Sequence, residues 1–274
     1  MIDLHLHTTA SDGRCSPRQL VDRAAKAGVT VMAVTDHDTT AAVVEVRGLA
    51  AALGIEAIAG IEITAVEDGR DIHILGYFID PANVQLAAFL VRQRNQRIAR
   101  VKAIGDRLAL LGMPVDVIPL IKKARDEGGS SVGRPQIARA MIAAGYVRDS
   151  REAFDQWLAT GRPAFMPRAG APPDEVIRMI HGAGGLASLA HPGQTGVDTR
   201  IPIYLAAGLD ALEVYHPDHD EAATERYRTL AGRVGVLVTG GSDFHGDPSH
   251  GWEPGAVTLP AAAWQRLCDA ASHA

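Results

Sequence analysis

Two histidines separated by one residue lie near the start of the chain. His5 and His7 alternate with the apolar residues Leu4 and Leu6. Side chains of a β-strand point alternately to opposite faces, so both imidazoles would share one face, about 7 Å apart. Two rings in this arrangement can bind one cation, although such pairs are also common on ordinary surfaces and in protein cores.

The same residue types recur along the chain. Histidine, aspartate or glutamate occurs at or near the C-terminal end of almost every segment that we predict as a strand. In an α/β barrel these ends meet at one face, where such barrels form their active sites. The recurring residues are Asp36, His37, Asp38, Glu62, His73, His191, His216, Asp243 and His245. Their placement predicts one site rich in imidazole and carboxylate groups.

Short apolar segments predict the strands that position these residues. These segments are residues 2–7, 30–35, 56–63, 71–79, 185–190, 209–215 and 234–240. Amphipathic helices are predicted between them, and the first has Ser16 as N-cap, Pro17 in its first turn and Gly28 as its stop. Alternating strands and helices predict an α/β fold with a largely parallel sheet.

The alternation stops between residues 86 and 168, which look helical throughout. Between residues 90 and 170 the chain has 15 Lys and Arg residues against 7 Asp and Glu residues, a balance of +8, whereas the remainder has 12 against 25, or −13. We therefore predict a barrel formed by residues 1–85 and 169–274, with residues 86–168 inserted as a basic helical subdomain. A basic segment in an acidic body suggests a region that meets an anion.

The composition excludes several classes of protein. Apolar residues make up 47% of the chain, charged residues 22%, and the mean hydropathy is +0.02, which is typical of a folded soluble protein. No 18-residue apolar run is available to span a bilayer. Two cysteines, Cys15 and Cys268, are too few for a disulfide framework or a thiolate metal site. Without a signal sequence we expect a cytoplasmic location, no membrane partner and no obligate protein partner.

Five groups of residues together resemble the PHP family, named after polymerase and histidinol phosphatase, whose members are metal-dependent phosphoesterases. The groups are His5-Leu6-His7 with Ser11-Asp12-Gly13, Thr35-Asp36-His37-Asp38, Gly60-Ile61-Glu62, Ala190-His191-Pro192 and Gly241-Ser242-Asp243-Phe244-His245. They span residues 5 to 245 in the family's order. The resemblance implies a distorted seven-stranded (β/α) barrel with two or three divalent metal ions at its C-terminal face.

The resemblance also implies how the metal ligands divide. The first ion would be held by His5, His7, Glu62 and Asp243, the second by Glu62 as a bridge with His73 and His191, and the third by Asp12, His37 and His245. Imidazole and carboxylate ligands without thiolates suit Mn²⁺, Zn²⁺ or Fe²⁺ better than Mg²⁺. Family resemblance favours Mn²⁺.

Three nearby residues are assigned supporting roles. Asp36 and Asp38 flank His37 and are expected to support a ligand or to cap the helix that follows. His216 is a candidate for acid–base catalysis, together with Glu62 and Asp243 in the reacting centre.

Three functions remain open at this point. In a phosphoesterase, a hydroxide that bridges two metal ions would attack phosphorus in line. Amidohydrolase barrels also begin with His-x-His, but many bridge their metals with a modified lysine. All four lysines here, Lys26, Lys102, Lys122 and Lys123, fall in predicted helices, which favours Glu62 as the bridge and phosphoester chemistry. A non-catalytic metal-binding module would be expected to lack ligands, and every expected ligand is present.

The inserted segment suggests a substrate. Ser131 and Arg134 lie in a stretch that resembles the subgroup of 3′,5′-nucleoside bisphosphate phosphatases and 5′-to-3′ exoribonucleases, and Arg168 lies where the segment returns to the barrel. Arginine suits phosphate because it donates two parallel hydrogen bonds. We expect hydrolysis of the 3′-phosphate of a nucleoside 3′,5′-bisphosphate, for example adenosine 3′,5′-bisphosphate to AMP, with short RNA 5′ ends as the alternative substrate. Histidinol phosphate is a further alternative, but the basic segment would repel its amine.

Overall fold

The computed structural model describes residues 1–126, 129–247 and 251–273. Its centre is a seven-stranded sheet in which the strands follow one another in chain order. The strands are β1 (Ile2–Leu6), β2 (Val31–Val34), β3 (Glu56–Glu67), β4 (Arg70–Tyr77), β5 (Leu186–Leu189), β6 (Ala211–Tyr215) and β7 (Leu237–Gly240). All seven coincide with predicted strands.

The sheet curves into a nearly closed barrel. The backbone of Phe244, just after β7, exchanges hydrogen bonds with β1, since His7 N–H donates to its carbonyl at 2.9 Å and its own N–H donates to the His5 carbonyl at 3.3 Å. Helices surround the strands, so the predicted α/β barrel is confirmed.

The prediction of a largely parallel sheet is wrong for β4, which runs antiparallel to both β3 and β5. A two-residue turn, Asp68-Gly69, connects β3 to β4, and both residues have positive φ, 49° and 74°. Such turns join antiparallel strands directly. Because β4 is reversed, its first half lies at the face where its parallel neighbours end, and His73 reaches that face from early in the strand.

Eleven α-helices occur in the described part of the chain. They are α1 (Pro17–Ala27), α2 (Val43–Ala52), α3 (Val84–Leu110), α4 (Ile118–Asp126), α5 (Arg134–Ala143), α6 (Ser150–Ala153), α7 (Pro173–Gly182), α8 (Pro192–Thr195), α9 (Ile201–Ala206), α10 (Glu221–Val234) and α11 (Ala261–Ala271). The boundaries of α1 are as predicted, since Ser16 and Gln19 form a capping box and Gly28 ends the helix at φ 80°.

Two regions of hydrophobic packing lie side by side. One surrounds the barrel, and the other is enclosed by the helices between β4 and β5. Helix α3 belongs to both, because Leu86 and Phe89 pack in the barrel cluster whereas Ile104 and Leu108 pack in the second cluster. We therefore propose that the chain divides into a barrel (1–85 and 169–274) and an insertion (86–168) that share helix α3.

Within the residues that the structure describes, no helix combines the length and the apolar character that a membrane span requires.

Candidate active site

Glu62, in the middle of β3, is the centre of the site. Its Oε2 atom lies 3.2 Å from both His5 Nε2 and His7 Nε2, and its Oε1 atom lies 2.6 Å from His73 Nδ1 and 3.2 Å from His191 Nε2. His37 Nδ1 also lies 3.2 Å from Oε2, so the two oxygens face different sets of imidazoles, three at Oε2 and two at Oε1. This is the geometry that a carboxylate bridging two cations needs, and it supports the proposed role of Glu62.

A second group of ligand atoms surrounds Asp12, which lies in the loop after β1. Its carboxylate oxygens are 3.2 Å from His245 Nε2, 3.4 Å from His37 Nε2 and 3.8 Å from His7 Nδ1. One ligand atom from each of these four residues lies within 4.8 Å of the others. The second ring nitrogen of His7, Nε2, faces Glu62. His7 therefore lies between the proposed sites of the first and the third ion.

Asp243 follows β7 and completes the first group. Its Oδ1 atom is 3.2 Å from His5 Nε2 and from His7 Nε2. Asp243 and His191 both have positive φ, 48° and 28°, which is uncommon for residues other than glycine. Such strain typically accumulates where a side chain must point to a functional site.

Glu213, an acidic residue in the otherwise apolar strand β6, holds two of these ligands in place. Its carboxylate accepts a hydrogen bond from His5 Nδ1 at 2.8 Å and from the backbone N–H of His191 at 2.7 Å. With Nδ1 donating to Glu213, the Nε2 lone pair of His5 faces the centre. Sequence analysis assigned Glu213 no role, although an acidic residue inside an apolar strand segment was an available signal.

The aspartates beside His37 have separate roles. Asp36 supports the loop of Asp12, since it accepts hydrogen bonds from Thr8 and Ser11 side chains. The prediction that Asp38 caps a helix is wrong, because the N-cap of α2 is Ala42. Asp38 instead accepts hydrogen bonds from the guanidinium groups of two arginines of the insertion.

We define the metal centre as His5, His7, Asp12, His37, Glu62, His73, His191, Asp243 and His245. With neutral imidazoles it carries three carboxylate charges, almost all buried. Burial alone would lower the pKa of His7, but Asp243 and Glu62 raise it to about 10. Burial would raise the pKa of Glu62, but His37, His73 and His5 hold it well below the ordinary value. The site therefore stabilises positive charge.

Several ring nitrogens of the metal centre lie 2.6–3.8 Å from carboxylate oxygens but lack the geometry of a hydrogen bond to any described residue. They include both nitrogens of His7, Nδ1 of His37 and Nδ1 of His73. Buried polar atoms without partners are rare in folded proteins. Divalent cations would satisfy these nitrogens and balance the carboxylates, so the residues present fit a metal site of imidazole and carboxylate ligands.

An adjoining cavity of about 110 Å³ is lined by His37 and His73 of the metal centre and by a group of basic residues. We call it the arginine cavity: Arg97, Arg100, Arg134 and Arg168 line it together with the carboxylates of Asp12 and Asp71, and Asp38 lies behind it as the partner of two of the arginines. Arg97 Nε lies 2.5 Å and Arg168 Nη2 lies 2.7 Å from Asp38 Oδ2, and Arg100 Nη1 and Arg134 Nη2 each lie 3.1 Å from Asp71 Oδ2. Four guanidinium groups thus face two carboxylates.

Arg134 and Arg168, the two arginines selected from the sequence, both line the arginine cavity but differ in exposure, at 23% and 2%. Burial and the neighbouring Arg97 lower the pKa of Arg168 to about 10, and burial and Arg100 lower that of Arg134 to about 10. Arg168 is almost fully buried, and its Nε makes no hydrogen bond to a described residue. Sequence analysis missed Arg97 and Arg100, which α3 brings from its basic stretch.

Ser131 does not line the arginine cavity. It lines a neighbouring cavity of about 510 Å³ together with Ser11, Arg14 and Arg139, on the other side of the Asp12 loop. Its backbone N–H donates to the Ala10 carbonyl at 2.7 Å. The structure therefore separates Ser131 from the two arginines with which it was grouped.

A larger cleft of about 640 Å³ opens in front of Asp243 and His245 and is lined by His216, Phe154 and Trp252. His216 Nε2 lies 3.3 Å from Asp243 Oδ2, and its Nδ1 accepts a hydrogen bond from the Asp218 backbone N–H at 3.1 Å. These contacts describe a neutral imidazole that carries its proton on Nε2.

The fold and this site define a class, the metal-dependent phosphoesterases. The sequence profile of the PHP domain matches residues 3–157, and a 3′,5′-nucleoside bisphosphate phosphatase from Chromobacterium violaceum is 32% identical over 93% of this chain and 90% of its own length. The chain belongs to the PHP domain family. A 5′-3′ exoribonuclease from Haemophilus influenzae is 36% identical over 89% of each chain, and a phosphoribosyl 1,2-cyclic phosphate 1,2-diphosphodiesterase from Eggerthella lenta is 34% identical over 89% of this chain and 94% of its own.

Solved structures agree with this assignment. A structure assigned to the metal-dependent phosphoesterases, from Bifidobacterium adolescentis, superposes with a TM-score of 0.87 at 32% identity over 97% of this chain and 94% of its own. A second, described as an amidohydrolase from Chromobacterium violaceum with bound sulfate, has the same TM-score and identity over 98% and 96%. The protein is a hydrolase with a PHP barrel.

Proposed function

We propose that the protein hydrolyses the 3′-phosphate of nucleoside 3′,5′-bisphosphates, for example adenosine 3′,5′-bisphosphate to AMP and phosphate. One observation carries the proposal: His37 and His73 of the metal centre line the same small cavity as four arginines. A site for a reacting phosphate and a site for a second phosphate are thus adjacent. The name of one relative, 3′,5′-nucleoside bisphosphate phosphatase, agrees with the proposal.

We assign the metal ligands as the sequence suggested, with three ions and Mn²⁺ as the preferred metal. His5, His7, Glu62 and Asp243 would hold the first, His73, His191 and Glu62 the second, and Asp12, His37 and His245 the third. Bound there, the cations act as Lewis acids that neutralise charge on a phosphoryl group. Glu213 orients two of these ligands, and Asp36 orients the loop of a third.

The chain's own residues would position the substrate. The arginine cavity is too small for a nucleoside but fits one phosphate, and its four guanidinium groups outnumber its carboxylates by two. Arg134 is the most accessible of the four, and together with Arg100, which shares its partner Asp71, it would donate hydrogen bonds to the non-reacting 5′-phosphate. The nucleoside would occupy the larger cleft, where Phe154 and Trp252 offer aromatic surfaces to a base.

His216 would act as a hydrogen-bond donor in this arrangement. Because its Nδ1 accepts from the Asp218 N–H, the ring is neutral and holds its proton at Nε2, beside Asp243. A neutral imidazole of this tautomer can donate a hydrogen bond to a phosphoryl oxygen, but it is a very weak acid. We therefore propose that His216 orients the substrate and does not transfer a proton.

A 5′-3′ exoribonuclease acting on short RNA is the second candidate. The larger cleft continues past Asp243 to Arg14, Arg139 and Arg151, which could follow the backbone of a longer strand. The 5′-phosphate would occupy the same arginine cavity in both cases. An amidohydrolase is less consistent with the site, because the four lysines lie in α1, α3 and α4.

The test compares phosphate release with added Mn²⁺ from four compounds: adenosine 3′,5′-bisphosphate, adenosine 3′-monophosphate, histidinol phosphate and a short 5′-phosphorylated RNA. We expect kcat/KM for the bisphosphate to exceed that for the 3′-monophosphate by about 10- to 150-fold, because a charge-assisted hydrogen bond contributes about 1.5–3 kcal/mol. Faster turnover of RNA would favour the exoribonuclease. Faster turnover of histidinol phosphate would contradict the binding of a second phosphate by the arginine cavity.

A further inference from the structure

The loop after β1, residues 8–14, brings Asp12 to the metal centre, and the insertion holds this loop by its backbone. Three successive carbonyl groups of the loop accept hydrogen bonds from three residues at or near the start of α5. The pairs are Ala10 with Ser131 N–H at 2.7 Å, Ser11 with Gln136 Nε2 at 2.6 Å and Asp12 with Arg139 Nη1 at 3.0 Å. The ligand loop is therefore supported from outside the barrel.

Gln136 has both ends of its side chain occupied. Its Oε1 accepts a hydrogen bond from the N–H of Gly133, the N-cap residue of α5, at 2.9 Å, while its Nε2 donates to the Ser11 carbonyl. An amide group can satisfy an acceptor and a donor in this way only in one orientation. The start of α5 and the ligand loop are thus joined by one side chain of fixed direction.

Arg139 lies one turn further along the same face of α5. It is half-buried, which lowers the pKa of its guanidinium, and its Nη1 donates to the backbone carbonyl of the ligand residue Asp12 itself. A charged donor makes a stronger hydrogen bond than a neutral one. The contact lies on the backbone of Asp12, while the carboxylate of the same residue faces His37 and His245.

The barrel supports the opposite side of the loop. Asp36 accepts hydrogen bonds from Thr8 N–H at 2.8 Å and from Ser11 Oγ at 2.5 Å. The loop also packs tightly at Gly13, where a Cβ atom would lie 2.5 Å from the His7 carbonyl oxygen. With one side fixed by Asp36, the position of Asp12 depends on what holds the other side, and metal–ligand distances tolerate only about 0.2 Å of error.

We propose that Gln136 and Arg139 are positioning residues for the metal ion that Asp12 would help to hold. The insertion would then complete the metal centre as well as bind substrate, and loss of its contacts would weaken one ion selectively. The inference rests on the metal assignment under the proposed function. It does not depend on which phosphate ester is the substrate.

The test uses Mn²⁺ binding to the metal-free, full-length protein, measured by calorimetry and by metal content after dialysis. Asp12→Ala identifies the ion in question as the one that this variant loses. Gln136→Glu keeps the capping acceptor and the side-chain size but replaces the amide donor with a carboxylate that repels the Ser11 carbonyl. Arg139→Gln, a second variant, removes the other side-chain contact. Arg148→Ala, an exposed insertion arginine that pairs with Glu152, is the control.

We expect Gln136→Glu and Arg139→Gln to raise the Kd of that one ion by about 10- to 100-fold, as residues supporting a ligand typically do. The Kd values of the other ions should change by less than about twofold, and Arg148→Ala should match the wild type. Equal weakening of every ion, or no weakening, would overturn the inference, as would an Asp12→Ala protein that retains all its ions. These readouts involve no substrate, so a different substrate specificity would overturn the proposed reaction and leave this result standing.

Discussion

The metal centre and the arginine cavity are neighbours with opposite excesses of charge. In the metal centre, three buried carboxylates face imidazoles that carry no charge when they act as ligands, so the group needs cations. In the arginine cavity, four guanidinium groups pair with two carboxylates, Asp38 and Asp71, so the group can accept an anion. A substrate with two phosphates would satisfy both, because one phosphate meets the cations and the other meets the guanidinium groups.

The largest effect is expected from removing the carboxylate of Glu62, which faces both groups of histidines in the metal centre. We expect Glu62→Ala to lose bound metal and to lower kcat by roughly 1000-fold or more, because metal catalysis supplies several kcal/mol. Metal content and phosphate release measure the two effects. Glu225→Ala, an exposed glutamate on α10, is the matched control. Full activity of purified Glu62→Ala with its metals still bound would contradict the bridging role.

The arginine cavity predicts a second, smaller effect that depends on the substrate. Arg134→Ala should lower kcat/KM for a 3′,5′-bisphosphate by roughly 10- to 150-fold, and it should change turnover of a 3′-monophosphate little. Arg168→Ala should lower both, because it also leaves the buried Asp38 with one partner fewer. Steady-state kinetics with both substrates make the comparison, and Arg178→Ala on the surface of α7 is the control. Equal losses for Arg134→Ala with both substrates would mean that Arg134 serves the fold.

A Glu213 variant tests whether the metal centre depends on the carboxylate that orients His5 and His191. Glu213→Gln removes the negative charge that orients His5 and the backbone of His191, and we expect a loss of about 10- to 100-fold in metal affinity or activity. Metal titration and kinetics on the same preparation measure it. The effect should be equal for bisphosphate and monophosphate substrates, unlike that of Arg134→Ala. Loss only with the bisphosphate would place Glu213 in substrate binding.

The smallest effect concerns stability in acid. Burial would raise the pKa of Asp71, but Arg100 and Arg134 lower it to about 2 from the unfolded value of 3.8. A carboxyl group with a lowered pKa stabilises the fold above the unfolded value, and this contribution disappears as the pH falls toward 2. The free energy of unfolding in urea should therefore fall by roughly 2 kcal/mol more in the wild type than in Asp71→Asn between pH 5 and pH 2. If the free energies of unfolding of the wild type and of Asp71→Asn fall in parallel between pH 5 and pH 2, the ion pairs of Asp71 contribute nothing to stability.

The two regions also differ in how far the sequence predicts them. Apolar segments and the period-two pattern predicted the strands that carry or precede most residues of the metal centre, and the family resemblance assigned the ligands, including Asp12 in the loop after β1; the structure brings these residues together. The orientation of β4 was missed because parallel and antiparallel strands have the same apolar composition. The turn Asp68-Gly69 was the local signal for it.

The arginine cavity depends on how the insertion folds back over the barrel. Arg134 and Arg168 were selected for their neighbours in the sequence, but the ion pairs with Asp71 and Asp38 join residues 63 and 130 positions apart. Arg97 and Arg100 come from a helix whose path no local pattern describes. Long-range packing therefore decides which of these arginines can bind substrate and which only stabilise the fold.

Helix α3 is anchored at both of its ends. Its 27 residues span about 40 Å, its first turns are held in the barrel core, and its last turns are held in the core of the insertion. Arg97 and Arg100 lie between these two anchored ends. A hinge within this stretch of α3 would have to break helical hydrogen bonds, so we expect the insertion to keep its place beside the barrel. We therefore expect substrate to exchange through the cleft of about 640 Å³ without movement of the insertion, at a rate whose dependence on solvent viscosity is that of simple diffusion.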